Sequence, residues 1–275
     1  MATTGTTAAA KFIPELWGSP AQRALQNNLV MAKRVYKIPF PGGRKVGSKN
    51  NIPIVSNLSA SAVTAGAVTP TATTEGEVEI TLNRHFYSAV EVEDIVQVQS
   101  QYDLLEEYSG KVAFALDKQV DTDLAGDYST LSQQVGTSGV AIIEDVTLNA
   151  VQFLDEADCP ESDRTQLYRP ASKRAMLKIE NFINASKMGM ANEKGPLIKG
   201  LFGEIYGIPV FFSNNVQSSS GIHNLIFWRE GFALMMQMEP KMEFFDRIAL
   251  TKVLVGSALW GHAEYRDSAA VDVLT

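Results

Sequence analysis

Apolar or small residues recur at Leu105, Tyr108, Val112, Leu116, Val120 and Leu124, mostly four apart, and trace one stripe of an α-helix. The spacing predicts a helix over Tyr102–Asp127, roughly 40 Å long at the α-helical rise. Polar residues fall between the stripe positions: Asp103, Glu106, Glu107, Lys111, Lys118, Asp121 and Asp127 read as the solvent face, with Glu107 and Lys111 in the favourable i,i+4 order. The pairs Glu106-Glu107 and Asp121-Asp123 belong to that same wet face. Gly110 inside the run costs about 1 kcal/mol relative to alanine. A helix of this length with one apolar stripe requires a sheet or a partner helix along it.

A different period surrounds it. Val78, Ile80 and Leu82 alternate with Glu77, Glu79 and Thr81, and Phe86, Ser88, Val90 and Val92 alternate through His85–Val92; both predict half-buried strands. Ile52–Val55 predicts a short outgoing strand, and no charged residue occurs from Asn50 to Thr74. A structureless loop of that length does not suit a compact domain, so an extended, projecting hairpin is expected. Its tip has no pattern able to build a core, and it is expected to be mobile in a free subunit and ordered only against a neighbour. Upstream, Ser19-Pro20 is a helix start, and Ala24, Leu25, Leu29 and Ala32 or Val35 share one side of a helix ending before Pro39. After a polar linker at Ser129–Gly139 the pattern alternates. Helices are predicted at Thr147–Ala157, Pro170–Ile179 and Arg229–Met236; strands at Gln166–Arg169, Glu204–Tyr206, Val210–Phe212, Asn224–Trp228, Met238–Asp246 and Leu250–Val255. Leu259–Tyr265 and Ala269–Leu274 close an α+β chain.

Composition narrows the function more by exclusion than by suggestion. The chain is 45 % hydrophobic and 20 % charged, the balance of a globular protein. With 24 Lys and Arg against 31 Asp and Glu the net charge is −7, which argues against a dedicated nucleic-acid binder. Lys33, Arg34, Lys37, Arg44, Lys45 and Lys49 form a modest basic cluster that reads as solvated or subunit-facing. Cys159 is the single cysteine, so no disulfide within the chain is available, and a reducing compartment fits. Met1–Ala10 has no apolar core of a signal peptide, and no uncharged apolar run is long enough to span a bilayer.

Chemistry-bearing motifs are missing. His85, His223 and His262 lie far apart without metal-ligand spacing and read as surface or sheet histidines. Gly42–Gly47 has the opening of a phosphate loop, but Ser48 stands where its lysine must be. Gly200, Gly203 and Gly207 sit where turns are needed, and Cys159 before Pro160 has no neighbouring base. Phe211-Phe212, Phe227-Trp228 and Phe244-Phe245 read as core and interface packing. No catalytic, cofactor-binding or metal-ligating residue is assigned.

The order of these pieces resembles the major capsid proteins of tailed bacteriophages, the Hong Kong 97-like fold shared with encapsulin shells. Phe12-Ile13-Pro14-Glu15-Leu16-Trp17 with the Gln22–Val35 helix is similar to that family's N-terminal arm, and residues 36–82 to its E-loop hairpin. Phe86–Asp94 and Tyr102–Asp127 resemble the strand and spine helix of its peripheral domain. Leu148–Cys159, Tyr168-Arg169-Pro170-Ala171, Ile205-Tyr206-Gly207-Ile208-Pro209-Val210 and Phe227-Trp228-Arg229-Glu230-Gly231-Phe232-Ala233 are similar to segments of its axial domain, and Leu259-Trp260-Gly261 with Arg266–Leu274 to its closing strands. The resemblance divides the chain into an arm with its helix at 1–35, an E-loop at 36–82, a peripheral domain at 83–140, an axial domain at 141–237 and returning strands at 238–275. It implies a non-enzymatic shell subunit without cofactors, assembled in the host cytoplasm and resident in the virion. Its implied partners are copies of itself in pentamers and hexamers, a portal protein at one vertex, a separate scaffolding or decoration protein, and packaged double-stranded DNA held non-specifically; no membrane partner is implied. The chain starts directly with the arm, so any scaffold is expected on another chain. Some members cross-link a loop lysine to a neighbour's asparagine; Lys45 and Lys49 lie in the loop, but no motif around them supports that bond. An encapsulin-type compartment and an α/β enzyme with an unrecognised site are the alternatives.

Overall fold

Among the described residues a four-stranded and a six-stranded sheet share a core cluster, and a two-stranded hairpin stands beside them. The computed structural model describes residues 29–39, 49–54, 60, 76–93, 104–179, 203–247 and 251–275. The expected tail and helix start before residue 29, the turn at Pro41-Gly42-Gly43, the phosphate-loop-like Gly42–Gly47 and the hairpin tip all lie outside those residues, save Ala60.

The first sheet has the order β1-β10-β11-β4, formed by Tyr36–Pro39, Phe232–Arg247, Thr251–Glu264 and Arg84–Glu93. β10 and β11 form a long antiparallel pair with register shifts between Met236 and Met238 and between Met238 and Lys241. Helix α2, Leu104–Gly126, lies on one face of this sheet, with Val112, Leu116, Val120 and Leu124 buried under it. Its extent matches the apolar period within two residues at each end. Gly256 explains the close approach: a Cβ there would sit 2.4 Å from Val112 Cγ1. On the other face Ile80 and Leu82 pack against Ala233 and Met235. They stand at the base of a hairpin of β2, Lys49–Ile54, and β3, Gly76–Thr81, paired from Lys49↔Thr81 to Ile54↔Gly76. The alternation in the sequence thus describes β3 and which of its sides is buried, while β2, expected as Ile52–Val55, begins three residues earlier at Lys49.

The second sheet runs β5-β12-β9-β6-β8-β7: Gln134–Gly136, Ala270–Leu274, His223–Trp228, Arg164–Tyr168, Ile208–Phe212 and Glu204–Ile205. Its central strands are buried on both faces, every residue of β6 included. Of these strands Leu225–Trp228 reads as a continuous apolar run, whereas β6 buries Arg164 and Gln166 as hydrogen-bonded polar groups. Helix α3, Glu144–Glu156, buries Thr147, Ala150 and Leu154, and α4, Pro170–Met176, starts with proline at its first position. Tyr206 and Gly207 both have positive φ, the pairing a two-residue hairpin turn demands, between β7 and β8.

Several expectations are corrected. Arg229–Met236 is no helix: Arg229–Gly231 is a single 3₁₀ turn and β10 begins at Phe232. The helix expected to end before Pro39 does so at Arg34 (α1, Met31–Arg34), but the residues after it, Tyr36–Pro39, form a strand that pairs parallel with β10. The linker at Ser129–Gly139 contains a strand, β5. Asp121 and Asp127 are not on a wet face. Asp121 is fully buried and Asp127 nearly so. A stripe advancing four residues at a time rotates by about 40° per step, so the buried arc has moved round by the last turns, where α1 and the loop after β8 pack as a second wall.

Candidate interaction surfaces

Among the described residues no three His, Cys, Asp or Glu side chains converge as a metal site. All three histidines sit in strands. His85 is exposed on β4, His262 on β11 holds Asp127 through Nδ1 at 2.8 and 2.9 Å, and His223 on β9 pairs with Asp272 Oδ2 at 2.8 Å. The last pair resembles half of a hydrolytic triad, yet His223 Nε2 faces the Ser219 carbonyl at 3.0 Å, an acceptor and not a nucleophile. Cys159 is half-buried, and burial pushes its thiol up, away from the reactive thiolate.

The buried polar groups instead fasten segments distant in sequence. Asp121 accepts from the backbone N–H of Val30 at 3.1 Å and Ala32 at 3.0 Å, and from Asn215 Nδ2 at 3.3 Å. One carboxylate on α2 therefore satisfies the first turn of α1 and the loop after β8. Asp123 Oδ2 accepts from Trp260 Nε1 at 3.2 Å, and Arg164, almost completely buried, donates to Asp155 and to the Pro160 and Cys159 carbonyls. These contacts were not legible as a site, because a carboxylate that caps another segment has no sequence pattern of its own.

Among the described residues, large apolar side chains remain exposed in at least three places. Tyr87 is 75 % exposed and Phe245 50 % exposed on the sheet face opposite α2, beyond the part covered by the hairpin base. Val140 and Ile143, 55 % and 52 % exposed, lead into α3 beside a cleft whose rim carries Arg174 and Lys178. Tyr206 at the β7–β8 turn donates to Glu144 Oε1 at 2.9 Å; burial and that carboxylate push its hydroxyl up to about 12. The third place is the hairpin: Ile54 is exposed where it leaves the body, while Lys49 pairs with Glu79 and Asn51 with Glu77 across it. Of the aromatic pairs, Phe227 is fully buried, edge-on to Phe232, and Phe211 lies under the Arg34 guanidinium. Surfaces of this kind, spread over the molecule and backed by a rigid core, suit protein contacts better than turnover.

No protein-family model matches the sequence, and no curated protein matches it. Solved structures do. The chain superposes on one from the capsid structure of the cyanophage P-SCSP1u with a TM-score of 0.80 at 18 % identity, covering 98 % of this chain and 95 % of that one. A chain of Mycobacterium phage Che8 gives 0.78 at 20 % identity, covering 95 % and 97 %. A chain from the capsid of the native GTA particle gives 0.74 at 10 % identity, covering 100 % and 99 %. Sequence similarity at this level carries no argument by itself, but the agreement spans both chains from end to end. The protein has the fold of these chains.

Proposed function

We propose that this chain is the major capsid subunit of a tailed-phage head, a structural protein whose copies close into a shell. The observation that carries the reading is the whole-chain match to capsid structures, 98 % of one chain on 95 % of the other. The absence of an activated nucleophile or convergent ligands among the described residues is compatible with it. In this reading α2 is the spine helix, the β2–β3 hairpin is the base of the E-loop, residues 83–140 form the peripheral domain, 141–237 the axial domain, and 238–275 return to both. Axial domains meet at the centres of pentamers and hexamers, and the hairpin and the segment before Leu29 reach across neighbours. Many contacts of modest area add up to a shell that does not dissociate. A portal protein, a scaffolding or decoration protein and packaged double-stranded DNA complete the particle, which is assembled in the host cytoplasm.

Expression of the chain followed by negative-stain microscopy is expected to show closed isometric shells; discrete soluble monomers at high concentration would sink the reading. Removing Leu58–Thr71 is expected to leave a folded subunit that no longer closes shells. Normal shells from that deletion would mean the hairpin does not tie neighbours together.

A further inference from the structure

α3 and β6 run between the same two ends of the second sheet, and those ends carry opposite charge. At one end lie the residues that enter α3, Ala141–Ile143, and the start of α4. At the other, residues 157–163 link the last turn of α3 to Arg164, the first residue of β6. With thirteen residues in α3 and five in β6, either element sets the two ends roughly 17–20 Å apart.

The first end is a cleft of about 520 Å³. Ile142, Ile143, Ala175 and Ile179 form its apolar wall, and Arg174 and Lys178 stand exposed on its rim. Their neighbour Lys173 is taken up by the Phe212 ring, 5.2 Å from its ammonium. No carboxylate among the described residues pairs with Arg174 or Lys178.

The second end is built the other way. Asp155, Glu156, Asp158, Glu161 and Asp163 crowd one short loop, and all are exposed. Arg164 answers Asp155 at 2.6 Å, and Glu156 accepts from the uncharged Gln152. Arg266, whose charge is felt at Cys159, is committed to Glu230 at 3.4 Å. Asp158, Glu161 and Asp163 have no cation paired with them among the described residues. Like charges this close repel, so the loop needs a scaffold. Arg164, 4 % exposed, supplies it by donating to the Pro160 carbonyl at 3.0 Å and the Cys159 carbonyl at 2.5 Å. Asp158 and Asp163 both have positive φ, which aspartate tolerates better than most residues. The loop is thus held from beneath while its carboxylates and Pro160 stay exposed. A knob shaped before it binds loses little freedom on binding.

An apolar wall rimmed by two unpaired cations matches such a knob in charge and in shape. Within one chain the two cannot meet, because α3 and β6 hold them apart. We infer that the 155–163 loop of a second copy docks in this cleft, its carboxylates against Arg174 and Lys178 and Pro160 against the apolar wall, so that copies join head to tail. Each chain then offers one cleft and one loop, and a heterologous contact of this kind forms a ring when its rotation closes. The inference rests on the reading of the chain as a self-assembling shell subunit and names the contact that builds its rings.

Paired cysteines in the full-length chain test it. In a Cys159→Ser background, Ala171→Cys in the cleft and Ser162→Cys on the loop leave every charge in place. In one chain they lie too far apart for a disulfide, which needs Cα atoms within about 7 Å. After oxidation, a non-reducing denaturing gel is expected to show a ladder from the dimer up to the pentamer or hexamer. Each single-cysteine variant is expected to give no rung above the dimer. A ladder ending at the dimer with both cysteines present would mean a two-fold contact, and no cross-link in chains that do assemble would mean another occupant. Either result overturns the inference and leaves the shell reading standing, whereas a wild-type chain that stays monomeric overturns both. Charge reversal is the second readout. Arg174→Glu with Lys178→Glu is expected to cut the assembled fraction roughly tenfold or more at matched concentration, and adding Glu161→Lys with Asp163→Lys is expected to restore it. Wild-type assembly in the first variant would overturn the inference, as would a loss that the second pair does not restore.

Discussion

The two halves of α2 lie on the same sheet and are held to it by different means. In the first half Val112 and Leu116 sit over Gly256, with no polar group needed between helix and strand. In the second half Val120 and Leu124 continue the stripe, but Asp121 is fully buried beside them, Asp123 is tied to Trp260, and Asp127, just past the helix end, is tied to His262. One half is fastened by shape, the other by hydrogen bonds to segments that arrive from elsewhere in the chain. Shape contacts form wherever the apolar stripe meets the sheet. The carboxylate contacts exist only when α1, the loop after β8 and β11 are all in place, so they make the second half the place where tertiary structure is checked.

The comparison is broken most severely by removing the apolar contact that both halves share. Leu124 is fully buried in the core that spans both sheets, and Leu124→Ala is expected to destabilise the subunit by about 2–5 kcal/mol through lost burial and a cavity. Chemical denaturation followed by circular dichroism measures it. An effect below about 1 kcal/mol would mean that the core collapses around the deletion.

Next comes the buried carboxylate. Asp121→Ala leaves the Val30 and Ala32 amides and the Asn215 amide group without their acceptor, each worth about 1–3 kcal/mol when water cannot replace it. Part of that is returned because a buried charge disappears with the side chain, so a net loss of roughly 2–4 kcal/mol is expected. Asp121→Asn keeps one acceptor oxygen and is expected to lose about half as much. The sharper readout is local: cleavage by a protease near residues 29–39 should accelerate in the alanine variant while α3 stays protected. Equal stability of Asp121→Ala and wild type would return this residue to the wet face that its spacing suggests.

That misreading shows what the sequence holds and what it does not. The period of four located α2, and the alternation at 77–82 and 85–92 located β3 and β4, because each pattern is written by burial against a single neighbouring layer. Asp121 escaped because its burial comes from a second wall, assembled from residues 29–32 and 213–217, that no local pattern records. Phe232–Met236 escaped for a related reason. Phe-Ala-Leu-Met-Met is apolar without a period and rich in helix formers, and it is a strand because β1 and β11 flank it and α2 and the hairpin base cover its two faces. The His223–Asp272 contact joins positions forty-nine apart in sequence and was equally invisible. The whole-chain resemblance was legible from the order of elements, which survives errors in any one of them.

Gly256 offers a finer test of the half held by shape. A methyl added there would meet Val112 Cγ1 at 2.4 Å and Leu116 Cδ1 at 3.2 Å, so helix and sheet must separate or Val112 must turn. Gly256→Ala is expected to cost about 1–3 kcal/mol as overpacking. Pairing it with Val112→Ala should recover part of the loss, since the second change opens the space the first one fills. Strict additivity of the two would show that the contact is looser than the approach of Val112 implies.

The smallest expected effect belongs to the face of α2 that stays wet. Lys118 is exposed one turn before Thr122, and its contribution to the fold is its backbone carbonyl, which accepts from the Thr122 hydroxyl at 2.8 Å. Truncating the side chain leaves that carbonyl in place and swaps one good helix former for another, so Lys118→Ala is expected to stay within about 0.5 kcal/mol of wild type in denaturation. Its value lies in the contrast with Asp121, three residues further along the same helix. If both sides of α2 were solvated as the spacing alone suggests, the two alanine variants would be indistinguishable. If the second wall is what buries Asp121, they should differ by about a factor of ten or more in the unfolding equilibrium, since each 1.4 kcal/mol is tenfold. A Lys118→Ala loss comparable to that of Asp121→Ala would instead place a further, unrecognised contact on the outer face of the helix.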